Sequence, residues 1–221
     1  SLNPRMNIGE IIAEPLRTHY PKTPESDIQS RVSDVMNKVG LLDNLMNRYP
    51  HEFSGGQCQR IGIARALILK PKLIICDEPV SALDVSIQAQ VVNLLMDLQE
   101  EMDLALIFIA HDLSVVKHIS TKIMVLYLGN MVELANSEDI YKAPSHPYTQ
   151  ALISAVPIPD PSVEKNKDLI LIEGEVPSPI NPPSGCVFRT RCHKAQEVCA
   201  NEKPEFKGLS KDHSVACHFH D

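Results

Sequence analysis

The sequence has 221 residues, enough for one large domain or for a core domain with a smaller appendage, and its 43% hydrophobic content excludes a wholly disordered chain. It contains 21 Lys and Arg against 28 Asp and Glu, a formal net charge of −7. No excess of positive charge is left to follow a phosphate backbone, so we expect no nucleic-acid partner.

The apolar runs and the first residues of the sequence indicate whether the chain crosses a membrane and in which compartment it lies. None reaches the roughly 18 residues that a spanning helix needs, since the longest, 104–110 and 123–128, have the length of buried strands. Residues 1–6 lack the apolar core of a secretory signal, which favours a reducing cytosol and argues against disulfides. Ser1 is not an initiator methionine, so we expect the protein to extend further upstream.

The first part of the chain is predicted to be helical. Apolar residues recur at helical spacing over 8–17 and 25–46, and a third apolar stripe covers 57–70. After Pro71, short apolar runs alternate with helical stretches. Strands are predicted at 73–76, 104–110 and 123–128, and helices at about 86–102 and after His111. The alternation predicts an α/β layer fold with a parallel sheet.

The composition changes after about Ala135, where prolines become frequent enough to break any long element. We therefore predict a small, irregular domain over residues 136–221. This domain holds four of the six cysteines.

A glycine turn precedes the third predicted helix. Ser54-Gly55-Gly56-Gln57 leaves backbone N–H groups and the positive end of the helix dipole free to meet an anion, and the Ser54 hydroxyl can donate as well. An ordinary N-cap with a tight turn is the alternative. The four residues alone do not separate the two interpretations.

Two acids and a histidine end the predicted strands. Asp77 and Glu78 lie at the C-terminal end of one strand, where open α/β sheets place catalytic groups. Adjacent side chains point to opposite faces, so one carboxylate can bind Mg²⁺ while the other reaches a water. His111 ends the next strand and is a candidate phosphate contact. The alternatives are that the two acids merely begin a loop and that His111 merely caps the end of a strand.

The order and spacing of these residues resemble the ABC ATPases. The matching segments are Phe53-Ser54-Gly55-Gly56-Gln57 (signature motif), Asp77-Glu78 (Walker B), Ser81-Ala82-Leu83-Asp84 (D-loop) and His111 (switch histidine). Phe53 stands where the family usually has Leu. The resemblance implies a partial P-loop NTPase fold, with a partial helical subdomain over 1–52 and the C-terminal part of the ATPase core over 53–135.

The resemblance also implies roles for these residues. In a head-to-tail dimer, each ATP would lie between the phosphate loop of one subunit and the signature motif of the other. Asp77 would bind Mg²⁺, Glu78 would polarise the attacking water and His111 would contact the γ-phosphate. The signature residues would contact the partner's nucleotide, and Asp84 would link the two sites.

The phosphate loop pattern G-x-x-x-x-G-K-[ST] does not occur in the 221 residues. In ABC ATPases this loop and the Q-loop glutamine lie upstream, and residues 1–6 resemble the stretch that follows that glutamine. We therefore expect a truncated ATPase that is inactive alone.

The C-terminal region resembles the appendage of oligopeptide and dipeptide importer ATPases, in particular the second of their two ATP-binding subunits. The likeness rests on His146-Pro147-Tyr148-Thr149, Ala155-Val156-Pro157 and residues 178–186. It implies that the protein couples ATP hydrolysis to the import of peptides. The subunit would lie on the cytoplasmic face of the cytoplasmic membrane. The implied partners are a sister ATP-binding subunit, two membrane permease subunits and, indirectly, an extracytoplasmic peptide-binding protein. A non-transport ABC ATPase and, for these residues alone, an assembly or metal-binding module are the alternatives.

Four cysteines of the C-terminal region form a candidate metal site. Cys186, Cys192, Cys199 and Cys217 are spaced C-x5-C-x6-C-x17-C, looser than the C-x2-C pairs of zinc ribbons. An all-thiolate set in a Pro-rich segment suits a [4Fe–4S] cluster or structural zinc, and free thiols are the third possibility. Mixed-ligand zinc stays open because histidines are near: His193, His213, His218 and His220. The resemblance favours the iron–sulfur cluster.

Overall fold

A computed structural model describes residues 2–157 and 160–220. The chain divides into two compact units, Ser1–His111 and Asp112–Asp221. Among the described residues, no helix is both long enough and apolar enough to cross a membrane.

The first unit begins with three helices, α1 (Ile8–His19), α2 (Glu25–Lys38) and α3 (Gly55–Leu67). Short 3-10 turns lie between the last two, at Asp43–Leu45 and Pro50–Glu52. The apolar stripes of the helices pack on one another, since Leu16, Met36 and Ile61 are completely buried. The predicted helical start of the chain is confirmed.

The second helix is shorter than the predicted stretch over 25–46. It ends at Lys38 because Gly40 adopts a φ of +72° and the Leu41 N–H donates to Met36 O at 2.8 Å. This is the helix-ending turn that glycine makes without steric cost. The helical prediction for residues 39–46 is therefore wrong.

The first unit continues with β1 (Leu73–Asp77), α4 (Val85–Met102) and β2 (Ala105–Ile109). The two strands pair in parallel, so the predicted parallel pairing is confirmed here. However, only one face of β1 is covered. Ile74 and Cys76 are buried, whereas Leu73 and Ile75 are 47% and 62% exposed. Among the described residues, β1 therefore buries one of its two faces.

The second unit contains an antiparallel sheet of order β3-β4-β6-β5. Its strands are β3 (Lys122–Tyr127), β4 (Asn130–Asn136), β5 (Lys207–Ser210) and β6 (His213–Val215). Its helices are α5 (Leu113–Ile119), α6 (Ser137–Lys142), α7 (Pro147–Ser154), α8 (Pro161–Glu164) and α9 (Glu197–Asn201), with a 3-10 turn at Arg189–Arg191.

The expectation that β3 joins a parallel sheet is wrong. Leu128 and Gly129 both have positive φ, 46° and 71°, and so form the tight turn that sends the chain back as β4. Strand β4 crosses the predicted domain boundary after residue 135 and pairs with β6. The division into parts 1–52, 53–135 and 136–221 stays a prediction.

Candidate functional site

The ends of the two parallel strands bring Glu78 and His111 together. Asp77 lies opposite Ile109 in the strand register, and the Glu78 N–H donates to Ile109 O at 2.9 Å. This bond holds Glu78 at a φ of 46°, a conformation that non-glycine residues seldom adopt. Glu78 Oε1 then lies 3.3 Å from His111 Nδ1, and both side chains are more than half exposed. The two predicted catalytic residues are therefore neighbours.

Both members of the acidic pair line a cavity of about 490 Å³ between α3 and β1. Arg65 of α3 lines the same cavity. Magnesium bound with nucleotide needs only one or two protein carboxylates, because phosphates and water complete its shell. Their oxygen donors and their exposure fit such an ion.

The signature segment forms the N-terminus of α3. Ser54 Oγ accepts from the Gln57 N–H at 3.3 Å, and Gln57 Oε1 accepts from the Ser54 N–H at 3.0 Å. This reciprocal pair confirms the N-cap interpretation. Contact with a nucleotide stays a prediction. The two roles are compatible, because the side-chain cap satisfies only one of the first-turn N–H groups that a helix leaves without an intrahelical partner.

Positions 55 and 56 of the signature segment leave little room for a Cβ atom, a steric restriction that the sequence did not reveal. A Cβ on Gly56 would lie 2.4 Å from Ile87 Cγ2 of α4, and one on Gly55 would lie 3.2 Å from Leu83 Cδ2 of the D-loop. The signature and D-loop segments of this chain therefore pack directly against each other.

Asp84 caps α4. Its Oδ1 accepts from the Ser86 hydroxyl at 2.7 Å and from the N–H groups of Ser86 and Ile87. The Ser86 hydroxyl bond, followed by the backbone bond from Ile87, lowers the pKa of Asp84. The structure thus gives Asp84 a capping role, while its link between two nucleotide sites stays a prediction.

The His146-Pro147-Tyr148-Thr149 segment begins α7. His146 Nδ1 accepts from the Tyr148 N–H at 3.0 Å, and burial lowers the pKa of His146 to about 4. Its ring packs on Phe188 at 5.7 Å between centroids, and Phe188 also contacts Tyr127 and Tyr148. This segment therefore connects α7 to the loop that carries the first cysteine of the C-terminal region.

Glu133 was not predicted as a functional residue from the sequence. This residue of β4 is completely buried, and its carboxylate accepts three hydrogen bonds, from the backbone of Ser145 and His146 and from the His213 ring. A single Glu within an apolar strand was the only available signal.

The four cysteines of the C-terminal region come close to one another, and we refer to Cys186, Cys192, Cys199 and Cys217 as the thiol cluster. Burial is the main cause that raises the pKa of Cys186, Cys192 and Cys217, the last to about 11. The neighbouring sulfurs raise these pKa values further by charge repulsion. All four thiols therefore lie within electrostatic reach of one another.

Backbone N–H groups oppose this effect at three of the sulfurs. Phe188, Lys194 and Phe219 each donate to the cysteine two positions earlier, which lowers its pKa. The Phe219 N–H lies 3.3 Å from Cys217 Sγ. Hydrogen bonds to sulfur favour the thiolate, the form that binds metals.

The backbone of the thiol cluster is tightly connected. The Cys186 N–H donates to Cys199 O at 2.8 Å. Gly185 has a φ of +64°, and a Cβ there would lie 2.4 Å from Cys199 O. Only glycine fits this close approach.

The expected metal site is not confirmed. Among the residues that the structure describes, no group of three or more His, Cys, Asp or Glu side chains is placed so that it could hold a metal ion. The sulfurs thus interact electrostatically without forming a ligand shell. Two of the candidate histidines have other partners, since His213 bonds Glu133 and His218 Nε2 lies 3.1 Å from Glu202 O.

Two family models match the chain. Residues 1–81 match the ABC transporter model, and residues 132–199 match the model of the oligopeptide/dipeptide transporter C-terminal region. A solved structure assigned to a metal-chelate type ABC transporter has a TM-score of 0.57 and 31% sequence identity, over 61% of this chain and 54% of that chain. The family models and the fold therefore place the chain in the class of ABC ATP-binding proteins.

Curated relatives narrow the class. The oligopeptide transport ATP-binding protein OppF of Escherichia coli is 70% identical over 217 residues, which is 98% of this chain and 65% of the relative. The oligopeptide transport ATP-binding protein AppF of Bacillus subtilis is 54% identical over all of this chain and 67% of its own length. The chain belongs to the family of oligopeptide transport ATP-binding proteins. It spans about two thirds of the length of these relatives.

Proposed function

We propose that the intact protein is the ATPase subunit of an importer that couples ATP hydrolysis to the uptake of oligopeptides or dipeptides across the cytoplasmic membrane. The family relationship supports this proposal, since its members are named for oligopeptide transport. The observation that carries the ATPase assignment is the 3.3 Å contact between Glu78 and His111 at the ends of two parallel strands.

The strand ends supply the residues for hydrolysis. Asp77 would hold the magnesium ion that is bound with ATP, and this ion would supply the positive charge that neutralises the phosphates. Glu78 orients and polarises the attacking water. His111 contacts the γ-phosphate, and its ring is oriented by Glu78 Oε1. Catalysis is thus positioning and electrostatic stabilisation rather than covalent chemistry.

The signature segment serves the nucleotide of the partner subunit. The N-terminus of α3 presents N–H groups and a positive dipole end to the phosphates, and Ser54 and Gln57 fix the first turn. Asp84 links the two nucleotide sites across the dimer. Because Gly55 packs near Leu83, a shift of the D-loop is transmitted to the signature segment.

The protein works with partners at the membrane. These are a sister ATP-binding subunit in a head-to-tail dimer and two membrane permease subunits, with a peptide-binding protein outside the membrane acting indirectly. The subunit is peripheral, on the cytoplasmic face. The 221 residues contain no phosphate loop. They therefore do not hydrolyse ATP unless another polypeptide segment supplies that loop.

The four sulfurs of the thiol cluster would hold a [4Fe–4S] centre, with zinc as the alternative. Four half-buried or buried sulfurs that interact with one another are the donor set that either metal centre takes. The N–H bonds to three sulfurs support the thiolate form. Because the present side-chain arrangement is not a ligand shell, metal binding has to draw the sulfurs together. The centre acts as a structural cross-link.

The test of transport uses the assembled transporter in proteoliposomes. ATP-dependent accumulation of labelled oligopeptides or dipeptides is expected, and an ATPase-inactive variant should abolish it. ATP hydrolysis by the assembled complex without accumulation of any peptide would favour a non-transport ABC ATPase.

A further inference from the structure

The carboxylate of Glu133 connects two separate segments of the second unit. Oε1 accepts from the Ser145 N–H at 2.8 Å and from His213 Nε2 at 2.7 Å, and Oε2 accepts from the His146 N–H at 2.9 Å. Glu133 is 0% exposed and His213 is 12% exposed. A buried carboxylate group that accepts three hydrogen bonds is held in one position, unlike a surface side chain.

One of these segments leads to the first cysteine of the thiol cluster. His146 receives its position from Glu133 and packs its ring on Phe188. Phe188 is 1% exposed and lies two residues after Cys186, whose pKa its backbone N–H lowers. His146 is therefore one of three rings, with Tyr127 and Tyr148, that hold Phe188, and a displacement of His146 would loosen the loop that holds Cys186.

The other segment leads to the last cysteine. His213 lies in β6 opposite Ala135 of β4, and its ring bonds Glu133. The Ala216 N–H donates to Val132 O at 2.8 Å, and Cys217 follows directly. The Glu133 to His213 bond therefore fixes the first residue of β6, and the Ala216 bond holds the other end of this short strand, from which Cys217 extends.

We propose that Glu133 is a positioning residue that orders the thiol cluster from both ends, through His146 to Cys186 and through His213 to Cys217. The proposal rests on the proposed function only where it gives the cluster a metal-binding role. The ordering of the thiols by Glu133 needs no metal. A carboxylate is required since three N–H donors need two acceptor oxygens. Glutamine has the same shape but would place an NH₂ against at least one of these donors.

The test measures alkylation of each cysteine by iodoacetamide in reduced, metal-stripped protein, with the modified residues mapped by mass spectrometry. In Glu133→Gln, Cys186 and Cys217 should react about tenfold faster than in the wild type, because the local opening that exposes them becomes easier. Cys58 and Cys76 belong to the first unit and serve as internal references. Their rates should not change.

Matched variants separate positioning from general destabilisation. Ile140→Ala removes a buried side chain of α6 in the same unit, and Ile140 makes none of the hydrogen bonds to Glu133. When the two variants lose the same thermal stability, Ile140→Ala should increase the alkylation rates of Cys186 and Cys217 less than Glu133→Gln does.

The His213 variants provide a second arm if Glu133→Gln does not fold. His213→Ala should expose Cys217 more than Cys186, and His213→Gln, which keeps an N–H donor, should restore slow labelling. Wild-type labelling rates in both Glu133→Gln and His213→Ala would overturn the proposal, as would equal acceleration in Ile140→Ala. Metal content is measured separately on untreated protein. Metal-free protein with the expected labelling pattern would reject the metal centre and leave the role of Glu133 standing.

Discussion

Glu78 and His111 are 33 residues apart in the chain, yet Glu78 Oε1 and His111 Nδ1 lie 3.3 Å apart. The contact follows from the parallel register of β1 and β2, which places Asp77 opposite Ile109. The hydrogen bond from the Glu78 N–H to Ile109 O then directs the chain away from the strand. Two short strands are therefore enough to assemble the acidic residue and the histidine of the proposed ATPase site.

The 221 residues alone should not hydrolyse ATP. The phosphate loop, whose backbone amides and lysine hold the β- and γ-phosphates, does not occur in them. Phosphate release should therefore stay at background with ATP and Mg²⁺. Magnesium-dependent turnover that Glu78→Gln abolishes would contradict this expectation.

Two glycines of α3 form a matched pair for a packing test. A Cβ on Gly56 would lie 2.4 Å from Ile87 Cγ2, whereas a Cβ on Gly62 meets nothing within 4 Å. Gly56→Ala should lower the free energy of unfolding by about 1–3 kcal/mol through overpacking. Gly62→Ala should raise it by roughly 0.5–1 kcal/mol, because alanine favours the helix.

The measurement is denaturant unfolding of both variants beside the wild type. Equal effects of the two substitutions would show that Gly56 is not restricted by Ile87. In the intact transporter, Gly56→Ala should also lower the ATPase rate, since it moves the signature segment relative to the D-loop.

Stability should fall with acid through the protonation of His146. Burial lowers its pKa from 6.5 to about 4, so between these values the unfolded chain binds a proton that the folded chain does not. The stabilising contribution is therefore complete above about pH 6.5 and is lost as the pH falls towards 4, by about 3 kcal/mol in total.

Unfolding free energies measured from pH 7 to pH 4 test this contribution. His146→Asn keeps a helix-capping side chain but removes the ionisable ring, so its pH dependence should be shallower than that of the wild type. The exposed His118→Asn serves as the control. An identical slope in His146→Asn and wild type would mean that His146 does not titrate as its burial requires.

The thiol cluster should carry metal in protein purified without oxygen. A [4Fe–4S] centre predicts a brown protein with a broad visible absorption band and stoichiometric iron and sulfide. Cys199→Ser should lose the colour and make the segment after about residue 164 sensitive to protease, since metal binding contributes folding free energy there. Cys58→Ser should change neither property.

Two other results are informative for the cluster. Colourless protein with one tightly bound zinc would replace the iron–sulfur centre with zinc. Four freely titrating thiols in an ordered C-terminal segment would remove the metal proposal.

The strand-end residues were predictable from the sequence because parallel strands align their C-terminal ends, and a short apolar run followed by acids marks such an end. The sequence was misleading for β3, where alternation with helices suggested a parallel strand. Positive φ at Leu128, a residue that seldom adopts it, gives a hairpin that no turn signature before Gly129 announced. Local sequence patterns do not predict cases in which tertiary packing decides how a strand pairs.

Glu133 shows a different limit. One glutamate within an apolar strand is equally compatible with an exposed or a buried side chain. Its burial depends on His213, 80 residues later, and on the backbone of Ser145 and His146. The same holds for Gly56, where spacing indicated a phosphate contact and packing against Ile87 became visible only in three dimensions.

The most direct test of the proposed ATPase role is nucleotide binding and hydrolysis by Glu78→Gln in the intact subunit assembled with its partners. The amide keeps the shape of the side chain but cannot polarise water as a carboxylate does. We predict near-normal ATP affinity, accumulation of a nucleotide-trapped dimer and loss of about 10²-fold or more in hydrolysis. Glu138→Gln, on the surface of α6, is the control and should behave as wild type. Hydrolysis by Glu78→Gln at the wild-type rate would contradict the account.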